Sequence, residues 1–534
     1  MKKFLSIFIL SLFVLINAQT ELVFVCFKDK PTKAGFYANP LSELSQKSLD
    51  RRIKYGIALN DQDAPIEQTY IQNIKDLGFA VEDQSKWMNG VAVNATTTQI
   101  LELEAKSYIQ SVERFIKHPT GGKSAAGKIN KFDEFKRALA KTNFDYGVGL
   151  SQINQVNLRP LHVAGFTGTG VTIAVIDSGF PTVDTGTVYD QIRNNGQIKG
   201  GYDFINKSTD IYNPTLDAHG SYCLGVIAGY VENSFVGSAP DADFYLYATE
   251  DGTREVPEEQ LFWAQAAEEA DRKGVDLITT SLGYYDFDDP RYNLVYSDMN
   301  GTISFIARAA QIATEKGIFV LAAAGNEGLK PWKYIVTPGD NAKVFTVGGV
   351  TATGDSSTFS SFGPNSVGMI KPDGSARGTA TYMGFNNSVV SSNGTSFSTP
   401  LAAGGVACLL QAVPTKTVDE LSNLLRQNAS LYPNSDDQKG YGILNFGQTW
   451  ISALATGDIG KRSSIQIYPN PVLKSFTIKT NEKIISVELY DILGRKVQNF
   501  SDETSPNIEH LSRGVYFVKV QTEKDLYIEK LIKK

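Results

Sequence analysis

The 534-residue sequence has little of what marks several large classes of protein. Its three cysteines (Cys26, Cys223 and Cys408) are too few for a disulfide scaffold. Acidic residues outnumber basic ones by 57 to 51, so no basic field is present to bind nucleic acid. After the first eighteen residues no run is long and apolar enough to cross a bilayer, which predicts no membrane span. Because there are only four histidines, few candidates exist for a catalytic imidazole.

The first eighteen residues have the charged, apolar and small-residue order of a secretory signal peptide. Lys2 and Lys3 precede an apolar run from Phe4 to Ile16, and Ala18 is followed by Gln19. The alternative is a membrane anchor, but the run is shorter than the roughly 20 residues that a spanning helix needs. We therefore expect this segment to be removed, leaving a secreted protein that is extracellular or attached to the cell surface.

The rest of the chain divides into three parts by its pattern of apolar residues, and it is too long for one core. Residues 19–118 mix short strands with helical spacing, as in a small α+β domain, and an exposed connector follows to residue 145. From 146 to 457, β-branched runs alternate with helices, which indicates a doubly wound parallel sheet covered on both faces. Residues 462–534 hold short alternating strands and predict a small all-β sandwich.

Three polar residues fall where the α/β pattern places an active crevice, beyond the carboxyl ends of parallel strands. Asp177 ends a predicted strand, and His219 begins a predicted buried helix. Ser396 precedes another helix, in whose first turn Pro400 is expected. A serine hydroxyl becomes a nucleophile when an imidazole takes its proton, and a carboxylate fixes the tautomer of that imidazole. The remaining histidines have no comparable setting: His118, His162 and His510.

These segments resemble the subtilisin-like (subtilase) family of serine peptidases, over about residues 146–456. The motifs are Ile176-Asp-Ser-Gly179, His219-Gly-Ser221 and Gly394-Thr-Ser-Phe-Ser-Thr-Pro400. Their order along the chain, Asp then His then Ser, is the order found in subtilisin. The resemblance implies that Asp177, His219 and Ser396 form a catalytic triad that works through an acyl-enzyme intermediate.

The resemblance also implies roles for residues around the triad. Asn326, in Ala322-Ala-Ala-Gly-Asn-Glu-Gly328, would donate to the oxyanion together with the backbone N–H of Ser396. Two segments would bind the substrate and form opposite walls of its first pocket: Ser281, Leu282 and Gly283, and Ala323, Ala324 and Gly325. Ala323 and Gly325 leave room between them, which favours substrates with a large apolar or aromatic side chain.

Two residues that follow His219 allow further expectations. Tyr222 stands where many subtilases have a second histidine, a departure that leaves the triad intact. Cys223 is four residues after His219 and therefore on the same face of the predicted helix. It is either a small buried core residue or a thiol close enough to the triad to make the enzyme sensitive to mercurials.

The flanking regions carry two more resemblances. Residues 19–118 resemble the inhibitory, folding-assisting prosegments of subtilases from the Bacteroidetes, through Lys47-Ser-Leu-Asp-Arg-Arg52 and Ser85-Lys-Trp-Met-Asn-Gly90. Residues 462–534 resemble the sorting domain of the type IX secretion system, through Ile467-Tyr-Pro-Asn-Pro471 and Leu511-Ser-Arg-Gly-Val-Tyr-Phe-Val-Lys519. A carbohydrate-binding or adhesive sandwich is the alternative for this last region. The resemblances imply an inactive precursor, inhibited by its own prosegment and exported by the type IX machinery.

The sequence predicts a secreted serine endopeptidase that acts on proteins or peptides. The runner-up is a secreted surface-attachment or binding protein with an inactive peptidase-like domain, although no catalytic position is substituted. The chemistry requires no cofactor, and the sequence does not identify a metal site. Many subtilases hold structural calcium, for which an oxygen-rich loop is the candidate, and a solvated acidic loop is the alternative. The aspartates of that loop are Asp286, Asp288, Asp289 and Asp298.

Overall fold

The computed structural model describes residues 19–81, 83–118, 146–455, 465–480, 482–491, 496–501, 504–523 and 526–534. The predicted signal peptide and residues 119–145 of the predicted connector lie outside these ranges. Within them, no helix combines the length and the apolar character needed to cross a membrane.

The N-terminal domain is a four-stranded antiparallel sheet with helices packed on one face. Its elements are β1 (Glu21–Phe27), α1 (Lys33–Ala38), α2 (Gln46–Tyr55), α3 (Gln68–Asp76), β2 (Asp83–Ser85), β3 (Gly90–Ala95), α4 (Thr97–Glu104) and β4 (Ile109–Arg114), with strand order β2-β3-β1-β4. Successive side chains of β1 point to opposite faces. Val23 and Val25 pack in the domain's own core, whereas Leu22 and Phe24 pack against the next domain. The apolar run of β1 is unbroken because both of its faces are buried.

The central domain is built on a seven-stranded parallel sheet with helices on both faces. The strands of this sheet are β5 (Thr172–Asp177), β6 (Ile198–Asp203), β9 (Asp243–Ala248), β10 (Leu277–Thr280), β11 (Phe319–Ala323), β12 (Phe345–Val350) and β13 (Gly374–Arg377). Two hairpins lie outside it. They are β7 (Tyr230–Val231) with β8 (Phe235–Val236), and β14 (Thr381–Phe385) with β15 (Ser388–Ser392). The sheet order is β13-β12-β11-β10-β5-β9-β6. Ile173 and Val175 enter one core and Ala174 and Ile176 enter the other, so each face of β5 is buried under its own layer.

Nine helices are present in residues 146–455. They are α5 (Leu150–Gln155), α6 (Arg159–Val163), α7 (Asp190–Asn194), α8 (His219–Ala228), α9 (Glu258–Lys273), α10 (Phe305–Glu315), α11 (Thr395–Ala412), α12 (Val418–Gln427) and α13 (Phe446–Ala455). The predicted capping box of α12 is formed by Thr417 and Glu420. Pro400 lies inside α11, because that helix begins at Thr395, so the prediction that it stands in the first turn is wrong.

The C-terminal region is antiparallel and all-β, as expected. It consists of β16 (Ile465–Tyr468), β17 (Thr477–Thr480), β18 (Ile484–Asp491), β19 (Lys496–Phe500), β20 (Gly514–Thr522) and β21 (Leu526–Lys533). β16 pairs with β17, and the other four strands form a sheet in the order β19-β18-β20-β21. The sequence analysis missed β19 because its residues are mostly polar. Phe517 stacks on Trp450 of α13 with ring centroids 4.6 Å apart, so this region contacts the central domain.

A cluster of charges is buried where the N-terminal domain meets α9 and the C-terminal end of α10. Arg52 of α2 lies 2.7 Å from both Asp63 and Asp271, and Lys316 lies 3.1 Å from Asp63. Arg51 also pairs with Asp271, and none of the five residues is more than 4% exposed. The pairs cross the boundary between the domains in both directions. Removing one partner from such a group leaves another charge buried without compensation.

Asp271→Asn should therefore destabilise the full-length chain by about 3–5 kcal/mol, because Arg51 and Arg52 would lose a shared carboxylate. The measurement is urea unfolding of the purified precursor, in a Ser396→Ala background that prevents self-processing. Asp61→Asn is the matched control, since Asp61 pairs with Lys33 at the surface and such a pair contributes about 1 kcal/mol or less. Equal effects of the two substitutions would contradict the prediction.

Candidate active site

Asp177 is the last residue of β5 and is wholly buried. Its Oδ1 accepts hydrogen bonds from His219 Nδ1 at 2.7 Å and from the backbone N–H of Ser178 at 2.8 Å. The carboxyl end of a parallel strand is the usual location of an active crevice. Because Asp177 accepts from Nδ1, it fixes the tautomer of the ring in which that nitrogen carries the proton.

His219 is the first residue of α8, and Asp217 holds the start of that helix. Asp217 Oδ1 accepts from the backbone N–H of His219 at 2.8 Å and from Ser178 Oγ at 3.2 Å. The carboxylate thus connects the turn after β5 to the helix that carries the imidazole. The sequence analysis missed Asp217. In many turns an aspartate accepts a hydrogen bond from the backbone N–H two residues later. This pattern could have indicated the role of Asp217 from the sequence.

Ser396 lies in the first turn of α11 and is 7% exposed. In a regular helix its carbonyl would accept from the residue four positions on, but that residue is Pro400, which has no N–H. The carbonyl instead accepts from Ser281 Oγ at 2.8 Å and from Cys223 Sγ at 3.4 Å. Because Pro400 cannot donate, the Ser396 carbonyl accepts hydrogen bonds from the segment after β10 and from α8.

Cys223 lies between the His219 imidazole and the Ser396 backbone. Its Sγ is 3.7 Å from His219 Nδ1 and 3.4 Å from the carbonyl oxygen of Ser396. The ring of the next residue, Phe397, lies 5.8 Å from the His219 ring. Burial raises the pKa of the Cys223 thiol well above its usual range, so the group stays protonated. Cys223 is thus a buried core residue that also contacts His219. Whether it makes the enzyme sensitive to mercurials stays a prediction.

Asn326 follows β11 and faces the start of α11. Its Oδ1 accepts from the backbone N–H of Thr395 at 2.9 Å and from Thr395 Oγ1 at 3.0 Å. Thr395 Oγ1 in turn accepts from the backbone N–H of Gly325 at 3.2 Å. These donors fix which side of the amide is oxygen, and the Asn326 NH₂ is directed away from Thr395. A donor in that orientation at a helix N-terminus suits a developing negative charge.

The two predicted substrate-binding segments follow neighbouring parallel strands. Ser281, Leu282 and Gly283 come after β10, and Ala323 to Gly325 end β11 and continue beyond it. Ser281 is held beside the nucleophile by its hydrogen bond to the Ser396 carbonyl. The segments therefore lie together at the same edge of the sheet as Asp177.

The aspartates of the acidic loop have separate protein partners. Asp286 accepts from Asn293 at 2.6 Å, Asp289 pairs with Arg291 at 2.6 Å, and Asp298 pairs with His118 at 2.7 Å. Each carboxylate thus serves a different protein partner, whereas calcium needs six to eight oxygens around one point. In the described ranges the carboxylates that do approach one another are Glu250, Glu255 and Glu259. None belongs to the loop, and Glu259 caps the backbone N–H groups of Asp251 and Val256.

Comparison with known proteins agrees with this geometry. Residues 168–442, just over half of the chain, match the model of the subtilase family. The chain belongs to the subtilase family. Residues 22–130 match the peptidase S8 propeptide domain of the Bacteroidota, and residues 466–534 match a secretion system C-terminal sorting domain. These matches confirm the predicted family, the α/β fold with its flanking domains and the type of precursor.

Three curated relatives show how far the similarity extends. Serine protease AprX of Bacillus subtilis (strain 168) is 31% identical over 310 residues, which are 52% of this chain and 66% of AprX. Subtilisin NAT of Bacillus subtilis subsp. natto is 27% identical over 379 residues, 70% of this chain and 83% of the relative. Subtilisin of Bacillus pumilus is 29% identical over 300 residues, 55% and 95% respectively. The chain is a serine-type endopeptidase of this family, and its sorting domain marks it as a secreted or cell-surface protein.

The other histidines occupy settings unlike that of His219. His162 is half-buried in the central domain, with Nε2 2.9 Å from the Ser238 carbonyl oxygen and Nδ1 2.8 Å from the Tyr146 hydroxyl. Burial lowers its pKa to about 4, so the ring is neutral near pH 7. His118 pairs with Asp298, and His510 is exposed. His162 is thus a structural residue whose protonation opposes folding.

Stability should fall in acid because of His162. As pH falls through 6.5, the ring takes up a proton in the unfolded chain, but in the folded chain it does so only near pH 4. The stabilisation is fully present above pH 6.5, and about 3 kcal/mol is lost between pH 6.5 and 4. Urea unfolding at pH 7 and pH 4.5, in a Ser396→Ala background to prevent self-digestion, would measure it. His162→Gln should show a smaller difference between the two pH values, and an unchanged difference would refute the assignment.

Proposed function

We propose that the protein is a secreted serine endopeptidase that hydrolyses peptide bonds through Asp177, His219 and Ser396, with an acyl-enzyme intermediate. The observation that carries the proposal is the 2.7 Å contact between Asp177 Oδ1 and His219 Nδ1, formed beside Ser396 at the start of α11. The alternative, a binding protein with a disabled domain, requires a broken site. The contacts that orient Asp177 and His219 favour the enzyme instead.

In the first step Ser396 Oγ attacks the substrate carbonyl carbon, and His219 Nε2 takes the hydroxyl proton. The imidazolium formed is stabilised by Asp177, which is buried and therefore acts in a medium of low dielectric. The carbonyl oxygen becomes an oxyanion, to which the Asn326 amide and the Ser396 backbone N–H would donate. His219 then protonates the leaving amine, and water releases the acyl group by the reverse sequence of proton transfers.

The N-terminal domain would keep the precursor inactive by covering the cleft with its C-terminal end. Its last described residues run along the central domain, where Glu113 pairs with Arg308 at 2.7 Å and His118 pairs with Asp298 at 2.7 Å. Asp298 belongs to the segment between β10 and α10, which follows the proposed substrate-binding residues Ser281 to Gly283. We infer that the enzyme then cuts the connector itself.

Asn326→Leu should lower kcat by about 10²–10³-fold and leave KM nearly unchanged, because the lost donor acts on the oxyanion and not on the bound substrate. Steady-state hydrolysis of a peptide p-nitroanilide measures both constants. Asn423→Leu, at an exposed position of α12, is the control and should change neither. A rise in KM at constant kcat would instead identify Asn326 as a residue for ground-state binding.

Ser396→Ala should remain a full-length precursor, whereas wild type prepared in the same way should lose its first 120 to 143 residues. The reason is that the first cut needs the Ser396 hydroxyl as nucleophile. Mass spectrometry reads the trimming, and a fluorophosphonate probe should label wild type at Ser396 only. Ser398→Ala is the matched control, since the Ser398 hydroxyl donates to the Thr395 carbonyl within the same helix, and it should be processed normally. An alanine-396 variant that trims itself and keeps peptidase activity would overturn the proposed function.

A further inference from the structure

The pocket next to the proposed nucleophile has two glycines in its walls, Gly283 after β10 and Gly325 after β11. At its mouth, Ser281 bonds the Ser396 carbonyl and the backbone N–H of Gly325 bonds Thr395. A substrate side chain that enters from the scissile carbonyl would pass between the two walls. The side chain that lies between the two glycines therefore limits the size of the substrate side chain.

The side chain of Val336 occupies this space. A Cβ built on Gly283 would overlap Val336 Cγ2, and a Cβ built on Gly325 would lie 3.1 Å from both Val336 methyl carbons. One isopropyl group thus touches both walls at once. Val336 is 4% exposed, so its methyl groups fill the gap and are not turned away to solvent.

Backbone hydrogen bonds hold Val336 against both walls. Its N–H donates to the Ala324 carbonyl at 3.2 Å, next to Gly325. The following residue, Thr337, exchanges two hydrogen bonds with Tyr284, next to Gly283, at 3.0 and 3.3 Å. A β-branched side chain on such a backbone has few rotamers. Val336 is therefore a fixed block between the walls.

We propose that Val336 limits the pocket to small side chains, so that the enzyme prefers alanine over phenylalanine or tyrosine before the scissile bond. This inference rests on the proposed function. It replaces the expectation from Ala323 and Gly325 that the pocket admits a large apolar or aromatic group. Ala323 and Gly325 leave room in one wall, but the side chain of Val336, eleven positions after Gly325, fills that room. Hydrophobic pockets discriminate by about 10–200-fold for each methylene that does not fit.

The test compares two peptide p-nitroanilides that differ only in the residue before the scissile bond, alanine or phenylalanine. Wild type should cleave the alanine peptide with a kcat/KM at least about tenfold higher. Val336→Gly and Val336→Ala should raise kcat/KM for the phenylalanine peptide by about 10–200-fold, the glycine variant more. The ratio of kcat/KM for the phenylalanine peptide to kcat/KM for the alanine peptide should therefore rise in both variants.

Val344→Ala is the matched control, because Val344 is a fully buried valine outside the two walls. It should lower stability and leave the ratio of the two kcat/KM values unchanged. The fluorophosphonate probe counts active sites in every sample, so misfolded protein does not alter the ratio. A wild-type preference for phenylalanine that the Val336 variants do not change would overturn the inference while the proposed function stands. Failure to cleave either peptide, with Ser396 unlabelled in folded wild type, would overturn both.

Discussion

The burial of one carboxylate constrains most of the central domain. Asp177 has no exposure at the end of β5, and a buried ion of this kind costs several kcal/mol unless donors surround it. The donors are Ser178 and His219, so α8 must begin within hydrogen-bond reach of the strand. Gly220 permits this approach, because a Cβ there would lie 2.5 Å from the Gly179 carbonyl oxygen. The position of the imidazole thus follows from the requirement to compensate Asp177.

A second constraint fixes Ser396 relative to that imidazole. Pro400 removes the helical partner of the Ser396 carbonyl, which Ser281 and Cys223 then bond from two other elements. Ser281 follows the strand next to β5, and Cys223 is one helical turn after His219 on α8. The same carbonyl therefore links the serine to the sheet and to the histidine's helix. Pro400 has no N–H to donate within α11, and this is why the Ser396 carbonyl can accept hydrogen bonds from Ser281 and Cys223.

The sequence was sufficient for features that depend on local order. The unbroken apolar runs indicated a sheet buried on both faces, and the four motifs identified the residues at its carboxyl edge. It was insufficient for features made by residues far apart in the chain. Pro400 was expected in a first turn because the pattern did not reveal that the helix begins at Thr395. Asp217 bonds both Ser178 and His219, and such a role depends on how two loops meet in space. The partners of the acidic loop, Arg291 on Asp289 and Asn293 on Asp286, likewise depend on how the loop folds.

The N-terminal domain and the enzyme share one core, which bears on how the precursor is activated. Phe24 and Phe115 each pack on Phe305 of α10, at 5.0 and 5.4 Å between ring centroids. Glu268 of α9 accepts the backbone N–H groups of Lys86 and Trp87, both at 3.1 Å. Dissociation of an intact prosegment would expose this apolar surface and separate the buried ion pairs between α2 and α9. A cut in the connector alone leaves all these contacts in place. Activation would therefore require degradation of the prosegment itself, because its unfolding is what removes the contacts for good.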